Sequence, residues 1–160
     1  MTVQVGDKIP SATVMVATAD GPEKKDAVDV LGNGKTVLFA VPGAFTPTCS
    51  ARHLPGFVEK AQEIKGKGVD TIVCMSVNDA FVMQAWGEQH NASGDIVMLA
   101  DGNGELSRAF GLTMDGTGFG MGERSQRFSA LIENGEVKAL NVEAPGAFEV
   151  SSADHILTQI

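Results

Sequence analysis

Cys49 stands in the segment Pro42-Gly43-Ala44-Phe45-Thr46-Pro47-Thr48-Cys49, and two of its neighbours bear on its reactivity. A residue before proline is pushed out of the α region, which suits a helix N-cap, and proline is favoured at the first helical position. Thr46 is therefore the predicted cap and Pro47 the first helical residue. Cys49 then falls in the first turn, where unpaired backbone N–H groups and the positive end of the helix dipole converge. Such a setting favours the thiolate, the form in which cysteine acts as a nucleophile. Pro55 cannot donate to the carbonyl of Ala51, which predicts a kink one turn past the sulfur. From spacing alone, Cys49 reads equally well as a small buried hydrophobe at a helix start. A Cys-x-x-Cys oxidoreductase is disfavoured because the residue three before Cys49 is Thr46. Cys49 and His53 could supply half of a metal site, but no second pair with ligand spacing exists in the chain, so no metal is expected.

These residues need a frame to hold them. The run KTVLFAV over 35–41 and the run over 68–77 are short, apolar and rich in β-branched residues, and both predict buried strands. Between them, Leu54, Phe57, Val58, Ala61 and Ile64 recur at helical spacing over 51–65. A β-α-β unit with parallel strands and a right-handed crossover follows. A second helix is predicted over 79–90, a third strand over 95–100 and a shorter helix over 105–110. Strand-like runs over 128–132 and 137–142 flank Asn134-Gly135, the strongest short-range hairpin signal. Ser151-Ser152-Ala153-Asp154 opens a last short helix. The expected fold is α/β, a mixed central sheet with helices on both faces and an antiparallel hairpin near the C-terminus, compatible with a thioredoxin-like arrangement. Residues 1–160 are expected to form one domain.

Composition narrows the function classes. Charged residues make up 20% of the 160 residues and hydrophobic ones 43%, as in an ordinary globular protein. A net charge of −8, with no basic cluster beyond Lys24-Lys25, lacks the footprint of a nucleic-acid binder. No apolar stretch approaches the roughly 18 residues a membrane helix needs, and no signal-like segment opens the chain, so a cytoplasmic location is the default expectation. In that setting the two cysteines are not expected to form a structural bridge. Gly34-Lys35-Thr36 imitates the end of a phosphate-binding loop but is followed by a strand. The glycines at 116, 118, 120 and 122 miss dinucleotide-binding spacing and predict a mobile or turn-rich loop. Asn91-Ala92-Ser93 is a glycosylation acceptor only in a secreted protein. Phe45, Phe57, Phe81, Phe119 and Phe148 are core candidates, with Phe45 also able to line an apolar entry beside Cys49.

The pattern Pro42-x-x-x-Thr46-x-x-Cys49 resembles the active-site signature of peroxiredoxins, and the string VPGAFTPTCSARHLPGF resembles their type II, or type V, subfamily. The similarity continues through CMSVNDAFVMQAWG, LADGNGE, RSQRFSALIENGEVKALNVE and SSADHIL, nearly the whole chain. The resemblance implies a thioredoxin-like fold and reduction of hydrogen peroxide or alkyl hydroperoxides by Cys49, with no metal or organic cofactor. It further implies that Thr46 hydrogen-bonds peroxide and thiolate, that Pro42 shields the sulfur, and that Arg127 completes the site. Without it, Arg127 would read as a solvated strand-edge charge. Arg124 is then a supporting or surface group, and His53 a packing residue near the kink.

A sulfenic acid on Cys49 must meet a thiol to be recycled. Some members of the subfamily carry a resolving cysteine near the C-terminal helix, but here that stretch reads Ala147-Phe148-Glu149-Val150-Ser151-Ser152, without sulfur. Cys74, in the middle of an apolar strand, reads as a structural thiol first and a resolving thiol second. The resemblance favours recycling by glutathione or glutaredoxin over thioredoxin, and a homodimer. The rival reading is a redox sensor or relay that uses the same thiol to report peroxide to a partner.

Overall fold

A computed structural model describes residues 2–92 and 94–160, so Ser93 of the Asn91-Ala92-Ser93 triplet lies outside the described residues. Among the described residues a seven-stranded mixed sheet runs in the order β2-β1-β5-β4-β3-β8-β9. Its strands are β1 (Thr13–Thr18), β2 (Gly21–Asp26), β3 (Lys35–Val41), β4 (Thr71–Ser76), β5 (Val97–Ala100), β8 (Phe128–Glu133) and β9 (Glu136–Val142). A separate two-stranded sheet pairs β6 (Thr113–Asp115) with β7 (Glu123–Ser125). The helices are α1 (Ala27–Leu31), α2 (Leu54–Gly66), α3 (Ala80–Gln89), α4 (Glu105–Phe110) and α5 (Ala153–Leu157).

The central strands are parallel because helices connect them, β3 to β4 through α2 and β4 to β5 through α3. Alternation along each strand then feeds two cores. Val37, Phe39 and Val41 of β3 face α2, α3 and α5, with Ile72 and Cys74 of β4 beside them. Leu38 and Ala40 face the opposite side with Val73, Met75 and the apolar residues of α1 and α4. Phe57 of α2 stacks on Phe39 at 3.9 Å between ring centroids, and both are fully buried.

The expected mixed sheet, the β-α-β units and the C-terminal hairpin are all present. Asn134 and Gly135 both take positive φ, 49° and 81°, as a two-residue hairpin turn requires. Ser152 caps α5 by accepting from the backbone N–H of His155. Other features depart from the sequence reading. The hairpin β1-β2 was not foreseen: β2 reads Gly-Pro-Glu-Lys-Lys-Asp, a charged edge with no apolar period. The glycines over 116–122 form the expected turn-rich loop, with a 3₁₀ turn over Thr117–Phe119, but the short strands that flank it, β6 and β7, have no counterpart in the sequence reading. Phe45, Phe81 and Phe119 are not core residues, being 48%, 73% and 82% exposed.

The kink expected beyond Cys49 takes the form of a π-helical turn over Cys49–His53, closed by the bond from the Leu54 N–H to the Cys49 carbonyl. Pro55 offers no N–H to Ala51 and its ring would strike that carbonyl in an α-helix. One extra residue in the turn relieves the clash. The aromatic stack beside this turn yields a first prediction. Replacing Phe57 with Ala should lower the free energy of unfolding by about 3–5 kcal/mol, read from the urea midpoint. A loss within about 0.5 kcal/mol, the range of ordinary surface substitutions, would show that the stack does not anchor α2.

Candidate active site

The site lies where β3 ends and the helix begins. The carbonyl of Thr46 accepts the first helical bond, from Ser50 N–H at 2.9 Å, as an N-cap residue's should. Its hydroxyl, however, donates to the carbonyl of Gly43 at 2.6 Å, folding the loop back on itself. With that proton committed, the Thr46 oxygen faces other groups as an acceptor. Gly43 sits in a tight spot, since a Cβ there would lie 3.1 Å from Arg124, Met121 and Thr46 atoms alike. Phe45 holds a left-handed φ of 64°, unusual for an aromatic residue, so the turn stores strain next to Cys49. Asn78 braces the same loop from the end of β4, accepting from the Ala44 N–H at 3.0 Å and the Ser76 hydroxyl at 2.5 Å.

Cys49 is fully buried at the start of the π turn. Arg127, which immediately precedes β8, donates from Nη2 to the Cys49 Sγ at 3.1 Å and from Nη1 to Nδ1 of His53 at 2.7 Å. Arginine can only donate, so Nδ1 must be the bare nitrogen of a neutral ring. Its other nitrogen, Nε2, then carries the proton and donates to the Ser151 carbonyl at 2.9 Å. Burial, followed by the Arg127 charge, pushes the His53 pKa down to about 3. The ring packs among Phe39, Phe57 and Phe148, with centroids 5.0 to 5.7 Å away.

The structure thus brings together Cys49, Thr46, Pro42 and Arg127. His53 has more than a packing role, for it contacts the guanidinium directly. Arg124 fastens the β6-β7 hairpin to the loop, donating from Nε to the Met121 carbonyl at 2.8 Å and from Nη1 to the Pro42 carbonyl at 3.4 Å. Cys74 lies at the centre of β4, fully buried in the same core as Cys49 and paired with Phe39 and Met98. Burial pushes its thiol well above the usual value. Among the described residues no group of three or more His, Cys, Asp or Glu gathers as a metal would require, and no helix is long and apolar enough to cross a membrane.

Over Arg127, whose guanidinium reaches the sulfur, opens a cleft of about 700 Å³. Pro42, Thr48 and Arg127 line it, with Met114 and Phe119 from the β6-β7 hairpin and Pro145 as apolar walls, while the fully buried Cys49 is not part of its lining. Sequence reasoning missed three contributors. Asn78 acts through the Ala44 amide 34 residues away, Glu143 through amides six to eight residues on, and Trp86 donates to the Ser50 hydroxyl at 3.0 Å beside Cys49. Only the position of Trp86 on the inner face of a predicted helix hinted at its place.

The sequence model of the redoxin family matches residues 4–157. Chloroplastic peroxiredoxin-2E-2 of rice is 54% identical over 98% of this chain and 72% of its own length. Peroxiredoxin-2B of Arabidopsis thaliana is 48% identical over 97% and 96%. The crystal structure of reduced Prx3 from Vibrio vulnificus in complex with hydrogen peroxide superposes with a TM-score of 0.94 at 51% identity, covering 99% of both chains. The expected cytoplasmic location is corrected by these matches, because two relatives, at 54% and 48% identity, are named chloroplastic. Plastid targeting segments are polar and amphipathic, so a search for an apolar leader does not assign a compartment.

The neutral His53 makes acid stability a test of the site. Between pH 6.5 and about 3 the unfolded chain holds a proton on this ring that the folded chain does not. Stability is therefore lost as pH falls, by about 2–3 kcal/mol between pH 6.5 and 4.5. Urea unfolding across that range should show a shallower dependence in His53→Gln than in wild type. Equal slopes would contradict a buried, neutral His53.

Proposed function

This chain belongs to the redoxin family and is a type II peroxiredoxin, a thiol-dependent peroxidase, and from that premise we propose that Cys49 is its peroxidatic nucleophile within one domain of residues 1–160. The observation that carries the assignment is the Arg127 guanidinium, which lines the cleft and stands 3.1 Å from the Cys49 sulfur. The thiolate attacks the hydroxyl-bearing oxygen of the peroxide. The S–O bond forms as the O–O bond breaks, and the electron pair leaves on hydroxide or alkoxide, which takes a proton from water to give water or an alcohol. Negative charge migrates from sulfur to the leaving oxygen, and Arg127, a fork of five donors, can follow it.

Thr46 accepts the O–H of the bound peroxide with the oxygen whose own proton is held by Gly43. Pro42 covers the sulfur and brings no N–H to attract water. Arg124 keeps Pro42 in place through its carbonyl. The apolar walls of the cleft suit alkyl hydroperoxides as well as hydrogen peroxide.

The sulfenic acid condenses with an external thiol to a mixed disulfide and water, and a second thiol then releases Cys49 and a disulfide. Glutathione or glutaredoxin is the favoured reductant, with Cys74 structural, since a bridge to Cys74 would require β4 to open. The exposed Phe45 and Phe81 support a homodimer formed at the active-site edge. Peroxide turnover with glutathione plus glutaredoxin, and separately with thioredoxin, tests the cycle. Cys49→Ser should abolish turnover and Cys74→Ser should keep it with the glutathione system. Activity surviving Cys49→Ser would overturn the assignment. A wild type oxidised once but never turned over by any reductant would favour the sensor reading.

A further inference from the structure

Glu143 follows β9 and is only 7% exposed, yet its side chain hydrogen-bonds neither Cys49 nor Arg127. Its carboxylate instead gathers four donors from one short segment. Oε2 accepts from the backbone N–H groups of Glu149, Val150 and Ser151 at 2.9, 2.9 and 2.8 Å, and from the Ser151 hydroxyl at 2.7 Å. Oε1 accepts again from the Glu149 N–H at 3.0 Å. Burial pushes this carboxyl up, but the bonds from Ser151, Glu149 and Val150 outweigh it and hold it below the ordinary carboxylate value. The clamped segment ends in the Ser151 carbonyl, which receives the His53 Nε2 proton. The Glu143 backbone is tied to the same centre, its N–H donating to the Arg127 carbonyl at 3.0 Å.

We propose that Glu143 is a positioning residue for the peroxidase centre, acting on Arg127 through the Ser151 carbonyl and His53. A carbonyl only accepts, so a fixed Ser151 carbonyl keeps the ring proton on Nε2 and leaves Nδ1 bare. A bare Nδ1 accepts one arm of Arg127, and the other arm then lies against the sulfur. Without the clamp, the carbonyl can turn away, the ring loses its reason to hold one tautomer, and Arg127 regains rotamers that miss Cys49. The reacting groups would then have to be aligned during the reaction instead of before it.

This inference rests on Cys49 being the nucleophile, and a double-mutant cycle separates the two claims. Oxidation of Cys49 by hydrogen peroxide is followed without reductant through the fluorescence of Trp86, the single tryptophan, which contacts Ser50. Glu143→Gln should slow oxidation about tenfold, the lower range for residues that orient a reactive group from behind. In a His53→Gln background the same change should have almost no further effect, because the route through the imidazole is already cut. Losses that multiply, or a wild-type rate in Glu143→Gln, would overturn the proposal. The ¹⁵N spectrum of the His53 ring should show the Nε2–H tautomer alone in wild type and a mixture in Glu143→Gln; an unchanged spectrum would also overturn it. Should Glu143→Gln fail to fold, Glu143→Asp, which keeps the charge but withdraws it by one methylene, enters the same cycle under the same criteria. A wild type that peroxide does not oxidise at Cys49 refutes the nucleophile instead.

Discussion

Everything around the cleft is organised by one guanidinium. Arg127 reaches a sulfur and an imidazole at once, 3.1 and 2.7 Å away. Among the described residues, it forms no ion pair with a carboxylate. A half-buried cation without an acid beside it is costly unless another anion answers it. In the proposed cycle the Cys49 thiolate, 3.1 Å from Nη2, is that anion. Had a carboxylate stood against Arg127, the guanidinium would have been neutralised permanently and would have had less to give the departing oxygen. The neutral His53 avoids this, offering a lone pair that orients the cation without cancelling its charge.

The fold delivers these groups from three separate pieces of chain. β3 ends at the loop of Pro42 and Thr46, which runs on into the π turn that carries Cys49 and His53; the lead into β8 carries Arg127, and the segment before α5 supplies the Ser151 carbonyl. β3 and β8 are hydrogen-bonded neighbours, with Ala40 opposite Phe128, so the loop and the arginine are brought together by strand register alone. Pro55 sets the remaining geometry. By denying an N–H to Ala51 it widens the turn, and Cys49 and His53, four residues apart, then share one guanidinium.

Much of this was legible in local chemistry. Thr46-Pro47 marked a helix start, the β-branched runs marked β3 and β4, and Asn134-Gly135 marked the hairpin, because each signal acts within a few residues. Cys49 could be made reactive by such reasoning but not specifically a peroxidase; that step came from resemblance and is supported by the matches across the chain. What stayed hidden depends on distant partners. β2 has no apolar period because it is an exposed edge. Phe45, Phe81 and Phe119 looked like core because hydrophobicity says nothing of which side of the molecule a residue meets. Glu143 carries no local signal, since its partners are backbone amides six to eight residues on. His53 was underestimated for the same reason, its arginine lying 74 positions away.

The central claim is that Arg127 stabilises the charge that moves from the Cys49 sulfur to the leaving oxygen. A single-turnover stopped-flow measurement of hydrogen peroxide reduction by wild type and Arg127→Gln, made without reductant, tests it directly. The account predicts a fall in the second-order rate constant of about 10²- to 10³-fold, the loss expected when a preorganised donor to developing negative charge is removed. A rate constant within about a factor of two of wild type would contradict it, leaving too little transition-state stabilisation to assign to the guanidinium.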